Sequence, residues 1–161
     1  MTLPGSAQFS SDGRYRYTLT RHLKDGDPLS YVNFVLLNPS TATATEDDPT
    51  IRRCIGFAER WGYPSLVVTN LFALRSTDPR ALRTSRAPVG PDNDHWLMKS
   101  AMGADRIVAA WGNHGRYLKR GAKVLWLGLP RPVYCFGLTK VGEPKHPLYL
   151  RKDADLEIME G

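Results

Sequence analysis

The feature of this chain that most constrains its fold is a largely apolar run, Val32 to Leu37, that stops abruptly at Asn38-Pro39-Ser40-Thr41. A short run of this kind between polar segments is typical of a strand buried in a parallel sheet. The proline and small polar residues that follow predict a loop at the carboxyl edge of that sheet. Because α/β proteins bind ligands at this edge, we expect the chemistry of the protein at Asn38 and its neighbours.

Strand-like and helix-like segments alternate along the rest of the chain, which favours an α/β fold with a mainly parallel sheet covered by helices. Asp48 is placed to cap a helix, Pro49 suits its first position, and Gly62 suits its end. The predicted strands are 14–20, an edge strand with one wet face, and 32–37, 66–69, 107–110 and 133–136. The predicted helices are 49–61, one that begins near residue 91 or 92, and one that includes 117–125.

The 161 residues suffice for a single domain, 1–161, with its core at about 14–150 and an acidic peripheral element or tail at 153–160. The chain holds no apolar run of about 18 residues, and its first six residues lack the features of a signal peptide. We therefore expect a cytoplasmic protein without a membrane partner. Cys54 and Cys135 can form one bridge at most, and free buried thiols are favoured because no secretory signal is present.

The formal net charge of +6 and the pI of about 9.5 favour an anionic partner such as nucleic acid. The same charge can also serve only to keep the surface wet. The placement of the basic residues supports the first interpretation, because many lie in or beside predicted loops. These residues are Arg52, Arg53, Arg75, Arg80, Arg83, Arg86, His114, Arg116, Lys119, Arg120 and Lys140.

Polar residues follow the ends of the predicted core strands. They are Asn38-Pro39-Ser40-Thr41, Thr69-Asn70, Trp111-Gly112-Asn113-His114 and, further on, His146-Pro147. In a parallel sheet these ends fall on one edge, where a cleft lined by hydroxyls, amides and an imidazole can hold a flipped nucleotide. Taken singly, each has another interpretation: asparagine after a strand forms turns, and an isolated histidine often lies in the surface or the core.

These motifs, in this order, resemble the motif series of the uracil-DNA glycosylase superfamily. That resemblance implies a three-layer α/β/α sandwich with a mainly parallel central sheet. A second resemblance spans about residues 14–150 and is to a family of small bacterial and phage proteins of unassigned function. It rests on Leu-Asn-Pro-Ser-Thr-Ala at 37–42, Asp48 to Arg53 and Gly137 to Lys140. The second family supplies no mechanism.

The glycosylase resemblance implies that Asn38 positions the attacking water, Asn70 reads the target base, and His146 stabilises negative charge on the departing base. Phe72 or Trp111 can stack on that base, although core packing is the alternative for both. Hydroxyl, amide and basic side chains are expected at phosphates or nucleic acid: Ser40, Thr41, Arg52, Arg53, Asn113, His114 and Lys140. At least one of the two adjacent arginines should face the cleft, unless both form a solvated pair on a helix surface.

Two departures from the glycosylase pattern stand out. The most active uracil enzymes carry an aspartate in the first motif, whereas the nearest acids here are Glu46, Asp47 and Asp48. Asp48 has two interpretations, a helix cap or a catalytic group. In the last motif Leu148 stands where the resemblance implies a serine. Because the chain also lacks the cysteines of an iron–sulfur cluster, we expect metal-free chemistry without a cofactor.

Three functions follow as hypotheses. The first is an N-glycosidic hydrolase acting on a flipped or modified base in DNA, with RNA or a free nucleotide as further substrates. The second is a protein that binds nucleic acid or a nucleotide in a glycosylase-like cleft without cleaving it, which the missing aspartate favours. The third is a structural or partner-binding protein whose polar strand ends are only turns.

Overall fold

The computed structural model describes residues 5–159, and a seven-stranded mixed sheet lies at their centre. The strands are β1 (Ser6–Phe9), β2 (Arg16–His22), β3 (Val32–Leu36), β4 (Ser65–Asn70), β5 (Arg106–Ala109), β6 (Val133–Cys135) and β7 (Glu157–Ile158). They are ordered β1-β2-β4-β3-β5-β6-β7. The four central strands run parallel, and β1, β2 and β7 extend the sheet antiparallel at its two sides. The protein is therefore an α/β protein, as its sequence predicts.

The helices of the described residues are α1 (Pro49–Arg60), α2 (Ala81–Thr84), α3 (Asn93–Gly103) and α4 (Arg120–Trp126). The predicted start and end of α1 are confirmed. The Oδ1 of Asp48 accepts a hydrogen bond of 2.9 Å from the backbone N–H of Ile51, and Pro49 occupies the first helical position. Beyond the helix, Gly62 has a φ of +82°, the left-handed conformation that glycine adopts without strain.

Alternate residues of β3 pack in two separate hydrophobic clusters. Phe34 and Leu36 share a cluster with Ile51 and Phe57 of α1. Val35 and Leu37 share the other with residues of α3 and α4, among them Leu97 and Val124. Since successive side chains of a strand point to opposite faces, β3 is buried on both sides, which explains its nearly continuous apolar sequence.

The prediction of an edge strand with a wet face at 14–20 is wrong. β2 lies between β1 and β4, and its side chains are mostly buried. The polar positions that suggested a wet face include Arg16 and Thr18, both of which are buried. Arg16 donates from Nη1 to the carbonyl oxygen of Ala42 at 3.0 Å, so it is satisfied by the loop after β3 rather than by water.

The acidic end, expected to be a peripheral element or tail, contributes the exposed edge strand β7, which pairs with β6 through Tyr134 and Cys135, although residue 160 lies outside the described residues. One other segment differs from its prediction. The helix predicted over 117–125 begins only at Arg120, after a 3₁₀ segment at Asn113–Lys119. Cys54 and Cys135 are buried free thiols, which confirms the interpretation of these cysteines. Within residues 5–159, no helix is long and apolar enough to cross a membrane.

The strand order places a crevice next to Asn38. From β3 the chain crosses through α1 to β4 on one side, whereas β5 lies on the other side of β3. Loops that leave β3 and β5 therefore diverge at their carboxyl ends. This topological switch point is where open α/β sheets bind ligands.

Candidate functional site

A cleft of about 780 Å³ opens at the carboxyl ends of β3 and β5, and its size is suited to a small molecule or a single nucleotide. Loops after four parallel strands and the start of α1 form its wall. The lining residues are Leu37, Asn38, Ser40, Asp48, Pro49, Thr50, Ser76, Thr77, Pro79, Trp111, Gly112, Asn113, His114, Thr139, Lys145, His146, Leu148, Tyr149 and Leu150. Segments from Leu37 to Leu150, the outermost more than 100 residues apart in the sequence, thus meet at this cleft.

Asn38 lines the cleft at the end of β3, and its orientation follows from its hydrogen bonds. The Nδ2 atom donates to the carbonyl oxygens of Ser76, at 2.9 Å, and of Pro39, at 3.1 Å. Since both partners are acceptors, the atom facing them must be the amide nitrogen. The Oδ1 has no hydrogen-bond partner among the residues the structure describes. It is left to accept a hydrogen bond from a water or a ligand.

His146 also lines the cleft, at the point where a 3₁₀ turn, Pro147–Tyr149, begins. Its Nδ1 accepts a hydrogen bond of 3.2 Å from the N–H of Leu148. In the neutral ring the proton therefore resides on Nε2, which becomes a donor. Burial lowers the pKa of His146 below its ordinary value of 6.5, against an opposing effect of the nearby Asp48 carboxylate. The ring is consequently neutral at pH 7.

Asp48 lines the cleft and joins the loop after β3 to α1. Its side chain is a helix cap, and its second oxygen, Oδ2, accepts from the N–H of Ala42 at 3.2 Å. The residue is only 5% exposed. Arg16 lies beside it in the interior, where burial lowers the pKa of the guanidinium to about 10 and the Asp48 charge partly opposes that shift. A buried carboxylate is thus held beside the cleft with a buried cation behind it.

The rest of the lining supplies hydroxyls, one lysine and one exposed aromatic ring. Ser40, Thr50, Ser76, Thr77 and Thr139 contribute hydroxyl side chains. Lys145, which is exposed, directly precedes His146. Tyr149 is 86% exposed, and its ring centroid lies 6.1 Å from that of His146. An aromatic ring left open at the mouth of a cleft can stack on a flat ligand.

The structure brings six of the residues predicted for the site to the cleft: Asn38, Ser40, Trp111, Asn113, His114 and His146. Six others do not line it: Thr41, Arg52, Arg53, Asn70, Phe72 and Lys140. The reason for Asn70 and Phe72, at and just beyond the end of β4, differs from the reason for the basic side chains.

Asn70, expected to read a base, is fully buried at the end of β4. Neither its Nδ2 nor its Oδ1 has a hydrogen-bond partner within the described chain. Its carbonyl oxygen accepts from Nδ2 of Asn93, at 2.9 Å, which ties the start of α3 to β4. Phe72 is also fully buried, and its ring packs against Tyr117 with centroids 5.8 Å apart.

Trp111 borders the cleft but is 1% exposed, so its ring is a core group. Its Nε1 donates to Oε2 of Glu143 at 2.7 Å. Two glycines pack against the ring: an added Cβ would lie 2.0 Å from the ring at Gly115 and 2.9 Å from it at Gly121. For both Phe72 and Trp111, the alternative of core packing is therefore the observed one.

Neither of the adjacent arginines of α1 lines the cleft. Arg52 is exposed and donates to the carbonyl oxygen of Asp47 at 3.3 Å. Arg53 donates to the carbonyl oxygen of Leu150 and so supports the cleft wall from behind. Thr41 is exposed away from the lining residues, and Lys140 is exposed on the turn between Thr139 and Gly142.

Several lining residues were not among the predicted site residues. Ser76 and Thr77 belong to a polar loop, 76–79, that follows β4, and this pattern was available in the sequence. Lys145 directly precedes the His146-Pro147 motif, and Tyr149 lies three residues beyond His146. Within the described part of the chain, no three His, Cys, Asp or Glu side chains lie close enough together to hold a metal ion.

Comparison with known proteins identifies one family. The model of the family described as "Protein of unknown function (DUF1643)" matches residues 16–148, from the start of β2 to the 3₁₀ turn that follows His146. No curated protein and no solved structure gives a significant match. The matched range contains Asn38, Asp48 and His146. This chain belongs to the DUF1643 family.

Proposed function

We propose that the protein is an N-glycosidic hydrolase that removes a flipped or modified base from DNA. We also propose that the two hydrophobic clusters are the interfaces of a three-layer α/β/α sandwich of the uracil-DNA glycosylase type. The observation that carries the function is the convergence of Asn38, Asp48 and His146 on one cleft at the switch point of the sheet, the first two from the loop between β3 and α1 and the third from the segment after β6. Each supplies a group that this reaction needs.

Hydrolysis of an N-glycosidic bond separates charge. The bond between C1′ of the sugar and the base nitrogen breaks, and its electron pair leaves with the base. A water oxygen bonds to C1′ and keeps one proton as the hydroxyl of the abasic sugar, and its other proton passes through solvent to the base. The transition state therefore carries positive charge on the sugar and negative charge on the base, and the protein must stabilise both.

Asn38 and Asp48 act on the sugar side of this reaction. The Oδ1 of Asn38 accepts a hydrogen bond from the attacking water and orients it, since an amide is too weak a base to deprotonate water. The Asp48 carboxylate places negative charge near the cationic sugar. It supplies the charge that the first motif lacks, from a position ten residues further along the chain.

His146 acts on the leaving base. Its neutral ring donates from Nε2 to the developing negative charge, and the backbone N–H of Leu148 holds the ring in that tautomer. A preorganised donor of this kind contributes about 2.7–4 kcal/mol to transition-state stabilisation. Tyr149 stacks on the base at the mouth of the cleft, in place of the buried Phe72 and Trp111.

A second candidate function is binding of nucleic acid without cleavage. It is favoured by one observation: both carboxylate oxygens of Asp48 already accept backbone hydrogen bonds, and the Nδ2 of Asn38 is likewise engaged. A cleft whose polar groups serve mainly to hold its loops can bind a base and leave it intact.

The test is formation of abasic sites in oligonucleotides that carry uracil, hypoxanthine, hydroxymethyluracil or an alkylated base. We expect release of one of these bases by the native protein, with a rate about 100-fold lower for His146→Ala. The matched control is His95→Ala, which removes an exposed histidine of α3 and should leave the rate unchanged. Release no faster than that of an Asn38→Ala, His146→Ala double variant would contradict hydrolysis and leave the binding function.

A further inference from the structure

A second groove, of about 540 Å³, adjoins the cleft. Asn113 and His114 line both, so the two spaces are neighbours along the loop that follows β5. The remaining lining of the groove comes from α2, from the 3₁₀ segment before α4 and from the turn after β6: Arg83, Arg116, Tyr117, Leu118 and Val141. This groove plays no part in the bond cleavage described above.

The groove is basic. Arg83 and Arg116 are exposed, and none of the lining residues, all within the described range, is acidic. The guanidinium carbon of Arg83 lies 4.7 Å from the centroid of the Tyr117 ring, which holds this cation in place. His114 is near enough to Asp78 to affect its carboxyl, whose pKa is lowered mainly by hydrogen bonding to Arg80, with His114 as a smaller cause. The ion pair with Arg80, at 2.9 Å, offsets the Asp78 charge.

The backbone beside the groove is strained. Leu118 and Lys119 both have a φ of 55°, a region that side chains other than glycine rarely adopt. Such strain is concentrated at functional sites, where the surrounding structure must maintain it. Here it accompanies the break between the 3₁₀ segment and α4, and it leaves Leu118 about half exposed in the groove wall.

We propose that this groove binds the phosphodiester backbone of the DNA strand next to the base held in the cleft. Guanidinium groups bind phosphate through two parallel hydrogen bonds, and an arginine fixed on an aromatic ring loses little freedom on binding. The proposal rests on the function proposed above. It narrows the substrate to a base within a strand, since a free nucleoside would leave the groove empty.

The test measures binding of a fluorescein-labelled single-stranded DNA 12-mer between 50 and 300 mM salt by fluorescence anisotropy. We expect the Arg83→Ala, Arg116→Ala double variant to reduce the slope of log K against log salt by about 1.4, since each phosphate contact to a single strand contributes about 0.7. The slope should stay unchanged in a control variant, Lys24→Ala, Arg106→Ala, which removes the same charge. Arg106 lies over Tyr134 at the same 4.7 Å but at the amino end of β5.

The groove proposal is overturned if the double variant and the native protein have equal slopes. It is also overturned if the control variant loses as much slope as the double variant. The base-release assay separates this failure from that of the hydrolase. Base release with an unchanged salt slope leaves the hydrolase standing and removes the groove. A reduced slope without release of any base confirms the groove and contradicts the hydrolase.

Discussion

Asn38 and His146 each bind the backbone with one polar atom and leave another polar atom at the cleft, whereas both carboxylate oxygens of Asp48 accept backbone hydrogen bonds. Asn38 anchors Ser76 through Nδ2, His146 accepts from the N–H of Leu148 through Nδ1, and Asp48 caps α1. A side chain that is tied at one atom presents the other in a fixed geometry, which is how a site is preorganised. Asn38 and His146 were identified as site residues from the sequence, and Asp48 was identified as a helix cap or a catalytic group. The bond from Asn38 to Ser76 was not predicted, because it joins two loops that meet only in the folded chain.

The lowered pKa of His146 predicts a stability change with pH. The folded pKa lies below 6.5, so the unfolded chain binds this proton more readily, and the free energy of unfolding falls as the pH drops below 6.5 toward the folded pKa. The loss is at most about 1.4 kcal/mol per pH unit for one proton. Urea denaturation at pH 7.5, 6.5 and 5.5 should show a smaller loss on acidification for His146→Gln than for the native protein. The same loss in both would contradict a partly buried, neutral His146.

At the scale of elements, local signals identified α1 correctly and misjudged β2. The cap at Asp48, the proline after it and Gly62 at the end are all properties of adjacent residues. By contrast, β2 looked like an edge strand because the partner of the Arg16 side chain, Ala42, and the pairing with β4 come from distant segments. β7 and the late start of α4 were missed for the same reason, since both depend on packing against β6 and Trp111.

The contact between Trp111 and the segment before α4 gives an element-scale prediction. Gly115→Ala would place a Cβ 2.0 Å from the buried Trp111 ring. We expect a loss of about 1–3 kcal/mol in the free energy of unfolding, as for other overpacked sites. Gly56→Ala is the matched control, because Gly56 lies in α1 with nothing within 4 Å of its added Cβ. It should stabilise the helix by roughly 0.5–1 kcal/mol. Urea denaturation measures the free energy of unfolding of both variants. Equal changes in the two would contradict a tight contact between residue 115 and Trp111.

Loops after four parallel strands form the cleft. The same fold buries two cysteines and an arginine, Arg16. Cys54 belongs to α1 and Cys135 to β6, and both are buried. Burial raises the pKa of both thiols, with a much larger effect on Cys54. Their protection therefore reports on the integrity of the whole fold rather than on one loop.

The reactivity of the two thiols tests whether the whole fold protects them. In native buffer at pH 8, both cysteines should react with a disulfide reagent roughly a thousandfold more slowly than in urea, because reaction requires unfolding. Both should react rapidly once the chain is unfolded, since no disulfide joins them. Native reaction rates within tenfold of the unfolded rates would show that α1 and β6 open locally.

The sequence by itself determined the α/β class, the buried strand that leads to Asn38, the boundaries of α1 and the candidacy of Asn38 and His146. The first three follow from periodicity, caps and turn residues, which act between near neighbours, whereas the candidacy of Asn38 and His146 rests also on the resemblance of their motifs to those of glycosylases. The tertiary structure alone decided that Asp48 lines the cleft while it caps α1, that Lys145 and Tyr149 join the cleft, and that Asn70, Phe72 and the adjacent arginines of α1 stay out of it. The physical reason is that strand order sets which loops meet, and packing on both faces of the sheet sets which polar side chains are buried.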